Sequence, residues 1–205
     1  GGRSWFLPAG TSGSRREDAL DLISVLEEGL GVAESLEELR AMGGKGGGVL
    51  FLADGHCPGV FERDHSLAEL TSIALEILAG PEEGFFLMVE GSQIDWEAHD
   101  GDAAGIVAEI IDFDEAVGAA LDFAEADGDI LVIVTSDHET GGFSILDGSI
   151  EDGKVGKAVF GTDDHTAAMV PLLASGPGES RFSGILDNTE IGVRLIEIIG
   201  GSGPQ

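Results

Sequence analysis

Asp95 and His99 stand four residues apart in Gln93-Ile94-Asp95-Trp96-Glu97-Ala98-His99. On a helical turn that spacing projects both side chains from one face, so a carboxylate and an imidazole can share one ion. A surface hydrogen bond is the commoner fate of such a pair, and the apolar run leading into this one, with Ile94 and Trp96 beside it, argues for more. A second pair, Asp137-His138, directly follows the apolar run Ile130 to Thr135 and precedes Gly141-Gly142, where backbone can approach a ligand closely. Its bland alternative is capping the next helix. His165, set among Asp163, Asp164 and Thr166, is a candidate third imidazole, although a lone histidine in such a place more often faces solvent. Glu90 offers only hard oxygen donors, which suits magnesium.

Zinc takes imidazole nitrogen and carboxylate oxygen at four-coordinate sites, and catalytic zinc keeps one position open. Two ions about 4 Å apart can bind both the attacking and the leaving oxygen of a phosphoryl transfer. These residue types therefore suggest metal-assisted hydrolysis. The single cysteine, Cys57, excludes an intrachain disulfide and a Cys-rich zinc site, leaving His and carboxylate to hold any metal.

The elements that must position these residues alternate between helix and strand. Phe85-Phe86-Leu87-Met88-Val89 is a continuous apolar run expected to be a parallel strand buried on both faces, delivering Glu90 at its end. Asp102 to Ala126 reads as a long amphipathic helix with Ile106, Ile110, Phe113, Val117 and Leu121 inward and Asp and Glu outward. Ile130 to Thr135 is a second buried strand, delivering Asp137 and His138 just past its end. Strand, helix and strand with functional residues at the strand ends is the doubly wound arrangement, in which ligands gather at the carboxyl edge of the sheet.

Elsewhere Arg16 to Leu30 and Ser35 to Met42 read as surface helices, the second opening on a Ser35/Glu38 capping box. Gly43 to Gly48 is a flexible connection without the ending of a phosphate loop, leading into a short strand, Val49 to Ala53. Ser66 to Ala79 is a capped helix stopped by Gly80-Pro81. Phe143 to Phe160 reads as a hairpin with Asp-Gly turns, Met169 to Ala174 as a strand, and Asn188 as the cap of a closing helix through Ile199, with a frayed tail at 200–205. His56 fits a turn better than an accessory ligand, and His65 fits the surface.

With 39 acidic against 10 basic residues the formal charge is -29, a field that repels nucleic acid and anionic membrane surfaces, so neither is an expected partner. So acidic a surface suits solubility in high salt and points to a salt-adapted source. At 205 residues and 42% hydrophobic the chain can bury a sizeable core. No run approaches the roughly 18 apolar residues of a membrane span, and no leader can be read after Gly1.

The combined pattern of Gly1-Gly2-Arg3, Asp54-Gly55-His56, Phe86 to Trp96, Val132 to Gly142 and Phe182 to Thr189 resembles the alkaline phosphatase family closely. The resemblance implies an α/β three-layer sandwich with a mostly parallel central sheet, incomplete here, with residues 1–205 as the C-terminal part of a single domain. It implies that Asp95, His99 and His165 ligate a first zinc, Asp137 and His138 a second, and Glu90 a magnesium ion. It further implies a phosphate monoester substrate, a homodimer, and a periplasmic or extracellular location. Trp96 stands where some members carry a lysine, a difference expected to tune phosphate affinity and metal preference.

The family also has an earlier segment with an Asp-Ser-Ala-type nucleophile, a threonine for magnesium and an arginine that clamps phosphate. No Asp-Ser-Ala occurs in this sequence, and Arg3, Arg15, Arg16 and Arg63 do not match the clamp, so the chain reads as beginning mid-domain with no catalytic residue assigned. Rival readings are a phosphodiesterase, sulfatase or phosphoglycerate mutase of the same superfamily, and a non-catalytic metal- or phosphate-binding module.

Overall fold

Ser66 accepts a hydrogen bond from the Glu69 amide at 3.0 Å and starts helix α3 of this chain (Leu67–Leu78), as its sequence requires. The computed structural model describes residues 1–42, 47–79 and 84–200. The Gly80-Pro81 stop, the tail at 201–205 and most of the 43–48 connection lie outside the described residues. The chain divides into two compact units, Gly1–Leu87 and Met88–Gln205.

The first unit contains α1 (Leu22–Gly29), strand β1 (Gly31–Ala33), α2 (Leu36–Met42), β2 (Gly48–Leu50) and α3. Helix α1 starts six residues later than the Arg16 start read from periodicity. The Arg16 guanidinium forks onto Asp18 at 2.5–2.9 Å, Asp18 accepts from the Leu20 amide, and Asp21 accepts from the Ile23 and Ser24 amides. These local side-chain bonds compete with helix until Asp21 caps it. Ser35 accepts from the Glu38 amide at 3.2 Å, but the Glu38 carboxylate reaches Glu34 N at 2.9 Å instead of closing a capping box on Ser35. Strands β1 and β2 pair in parallel, Val32 opposite Val49, and Ala33, Ile73 and Leu75 are buried.

The second unit opens on residues that belong to no helix or strand, then α4 (Gln93–His99) and α5 (Ala103–Asp127). Asp102 caps α5 through the Ala104 and Gly105 amides, and Gly128, at φ +86°, ends it. The buried face of α5 differs from the expected one. Gly105, Ile106, Glu109, Asp112 and Ala116 are buried, whereas Ile110 and Ile111 are exposed. Gly105 lies against α4, where a Cβ would meet the Glu97 side chain. The buried face of α5 thus includes two acids, Glu109 and Asp112.

Beyond α5, β3 (Val132–Thr135) pairs antiparallel with β8 (Leu172–Ser175), β4 (Glu139–Thr140) with β7 (His165–Thr166), and β5 (Ser144–Ser149) with β6 (Lys154–Val159). The last pair is the expected hairpin, although Asp147-Gly148 forms an irregularity within β5 and the turn falls at Ile150–Gly153. Helix α6 (Asn188–Ile199) is capped by Asp187, one residue before the expected Asn188, in a reciprocal box with Glu190.

The fold is mixed α/β. One of the four ladders is parallel and three are antiparallel, so the described sheets are small and not the mostly parallel central sheet expected. Residues 85–89 form neither a helix nor a ladder among the described residues, and Phe86 and Met88 are exposed. A strand buried on both faces needs neighbours on both sides, and an apolar run specifies its own preference without supplying them.

Candidate metal centre

Helix α4 is only seven residues long, and it carries Asp95 in its first turn and His99 in its last. The four-residue spacing brings His99 Nε2 to 3.5 Å from Asp95 Oδ1. His165, delivered by β7, places its Nε2 at 3.6 Å from the same oxygen and 3.1 Å from His99 Nε2. Four-coordinate bonds of 2.0–2.1 Å put neighbouring donors ~3.3 Å apart, so three donors at these separations match one face of a tetrahedron.

His99 is oriented from outside the triad. Its Nδ1 lies 2.6 Å from the Asp163 carbonyl oxygen, an atom that can only accept, so Nδ1 carries the proton and the Nε2 lone pair faces His165. That carbonyl bond raises the imidazole above its ordinary range, assisted by the charges of Asp95, Asp164 and Asp163 and opposed by burial.

His138 stands beside the triad. Its ring stacks on His165 with centroids 3.6 Å apart, and its Nδ1 lies 4.0 Å from Asp95 Oδ1. His138 Nε2 points away, 3.3 Å from Asp137 Oδ2, which is again a tetrahedral edge. The Asp137 side chain is 80% exposed, so this second pair opens to solvent.

The short β4–β7 ladder fixes these groups. Thr140 lies opposite His165 and Glu139 opposite Thr166, so each pair shares a face. On one face the Thr166 hydroxyl donates to the Glu139 carboxylate, which it holds below the ordinary range with help from the Phe143 and Gly142 amides. On the other, Thr140 Oγ1 reaches Asp95 Oδ1 at 2.5 Å and His138 Nδ1 at 3.2 Å. Gly141, at φ +85°, then turns the chain so close to α4 that a Cβ would lie 3.2 Å from the Ala98 carbonyl oxygen and 3.0 Å from the Phe160 ring.

Of the six ligand candidates from the sequence, Asp95, His99 and His165 form one group, His138 stands beside it and Asp137 beside His138, while Glu90 is exposed and lies outside that group. Sequence reasoning assigned no role to Thr140 or to the Asp163 carbonyl. Strand parity in Glu139-Thr140 was the available signal for the first, and a main-chain oxygen leaves none. Ser136, beside the cluster, spends its hydroxyl on the His138 carbonyl oxygen at 2.6 Å. In the first unit His56 lies against Trp5, rings 5.5 Å apart, and His65 meets Glu69 at 3.0 Å.

Comparison with known proteins gives this geometry its context. Alkaline phosphatase 4 of Bacillus subtilis is 32% identical over 67% of this chain and 45% of its own length. Streptomycin-6-phosphate phosphatase of Streptomyces griseus is 39% identical over 61% of this chain and 33% of its own. The chain therefore spans about half the length, or less, of the curated relatives it matches. Among solved structures, the alkaline phosphatase of the Antarctic bacterium TAB5 superposes with a TM-score of 0.84 at 35% identity, covering 98% of this chain and 58% of that one. A variant of that enzyme holds Mg in its M3 site. The family model for alkaline phosphatase matches residues 1–161, and with that match over most of its length the chain belongs to the alkaline phosphatase family.

Proposed function

We propose that this chain supplies the principal metal ligands of a metal-dependent phosphomonoester hydrolase. Asp95, His99 and His165 would hold one zinc ion, Asp137 and His138 would contribute to a second, and Glu90 would serve a magnesium ion such as a variant of a structural relative carries. The observation behind this reading is the set of separations of 3.1, 3.5 and 3.6 Å among Asp95 Oδ1, His99 Nε2 and His165 Nε2. Bound zinc would supply Lewis acidity toward the attacking and leaving oxygens of a phosphate ester. The chain's own residues position the ligands: the Asp163 carbonyl aims His99, the β4–β7 ladder places His165, and the exposed Asp137 leaves the second pair open to an ester.

The substrate class follows the monoesterases among the relatives, as against the phosphodiesterase, sulfatase and mutase branches. The 205-residue domain reading, the three-layer sandwich and the homodimer belong to this proposal too, with Phe86 and Met88 as apolar positions that a larger sheet would cover. So does a periplasmic or extracellular site of action; no described helix is long and apolar enough to cross a membrane.

The test is zinc titration of the 205-residue chain by competition with a chromophoric chelator, alongside hydrolysis of an aryl phosphate. Zinc binding abolished by Asp95→Ala, with little or no turnover for want of an Asp-Ser-Ala segment, is the expected result. Zinc binding indifferent to Asp95, His99 and His165 would overturn the assignment.

A further inference from the structure

We infer that Thr140 is a positioning residue that ties the two candidate ion sites together through one hydroxyl. The inference rests on the metal reading above and concerns how its ligands are held.

A hydroxyl has one proton and two lone pairs, and a carboxylate only accepts. Thr140 Oγ1 lies 2.5 Å from Asp95 Oδ1, so its proton goes to that oxygen. The same oxygen lies 3.2 Å from His138 Nδ1, and with its proton already committed it can only accept there. His138 must then carry its proton on Nδ1. Its Nε2 is left with a free lone pair, 3.3 Å from Asp137 Oδ2. A directed chain runs from His138 Nδ1–H to Thr140 Oγ1–H to Asp95 Oδ1. One end fixes the rotamer of a carboxylate in the first site, and the other selects the ligating nitrogen of the second.

The position of Thr140 supports this independently of the bonds. It is a β-branched residue in a two-residue strand, opposite His165 in register and only 9% exposed, so its χ1 has little freedom and its hydroxyl is partly shielded from water. Outer-shell partners of this kind fix tautomer and orientation, and removing one typically costs ~10–100-fold in metal affinity.

Two readouts on the 205-residue chain test the inference. The first is long-range nitrogen–proton correlation of the histidine rings in zinc-free protein at alkaline pH. It should place the His138 proton on Nδ1 in the native chain and in Thr140→Ser, and move it toward Nε2 in Thr140→Val. The second is zinc competition, where Thr140→Val should lose ~10–100-fold in affinity and Thr140→Ser should recover most of it. A native His138 protonated on Nε2 overturns the inference, and so does native zinc affinity in Thr140→Val when Asp95→Ala has lost binding. If Asp95→Ala itself binds zinc like the native chain, the metal reading falls and takes this inference with it. Should Thr140→Val fail to fold, the tautomer of the native chain decides alone.

Discussion

His99 shows how much one side chain can be asked to do. Its position on α4 gives it Asp95, its Nδ1 is taken by a carbonyl 64 residues away, and its Nε2 meets His165. Replacing it by alanine should lower zinc affinity by more than the ~10–100-fold that loss of an outer-shell partner costs, read by the same chelator competition. Asp187 is a residue with a simpler task. The Thr189 hydroxyl, then the Thr189 amide, hold its carboxyl below the ordinary 3.8. The folded chain therefore binds this proton more weakly than the unfolded chain does. The cap's contribution to stability is complete above 3.8 and is lost as pH falls through the lower folded value. A carbon-detected titration should find Asp187 below 3.8 in the native chain and nearer to it in Thr189→Ala.

At the scale of elements, the two clearest sequence signals were α3 and α5, because each begins at a side chain that can be recognised, Ser66 and Asp102. The orientation of α5 was not legible. Isoleucines occupy several of its faces, and which of them is buried depends on packing against the neighbouring helix, where Gly105 meets Glu97. Chemical denaturation should make the difference measurable. Ile106→Ala, at 3% exposure, should cost ~2–5 kcal/mol, while Ile111→Ala, at 56% exposure, should stay within ~0.5 kcal/mol. Strand β1 escaped sequence reading because three residues, Gly31-Val32-Ala33, are too short to show a period. The ligand candidates were legible as residue types at strand and helix ends; their convergence was not, since it depends on the β4–β7 pairing, to which a local pattern is blind. Gly141→Ala should disturb that pairing from its own side, because the residue sits at φ +85° against Phe160. A lower melting temperature together with weaker zinc binding is the expected signature.

The molecule as a whole carries a formal charge of -29, and its mutual repulsion reaches across the surface at low ionic strength. Raising salt from 0.15 M to 1 M shortens the screening length from ~8 to ~3 Å. The melting temperature should climb steeply over that range, and a flat response would remove the case for a salt-adapted source. At this scale the pairing of His99 with His165 has a further consequence, in time. The two nitrogens are 66 residues apart in the chain, whereas Asp95 and His99 meet within one short helix. A helical turn forms in under a microsecond, but His165 arrives only after a long loop has closed and its strand has docked. In a refolding experiment from denaturant, the helical circular-dichroism signal should therefore recover first. The absorption of a cobalt probe added as a stand-in for zinc should follow with a lag, making the metal centre a clock for the slowest long-range step in the second unit.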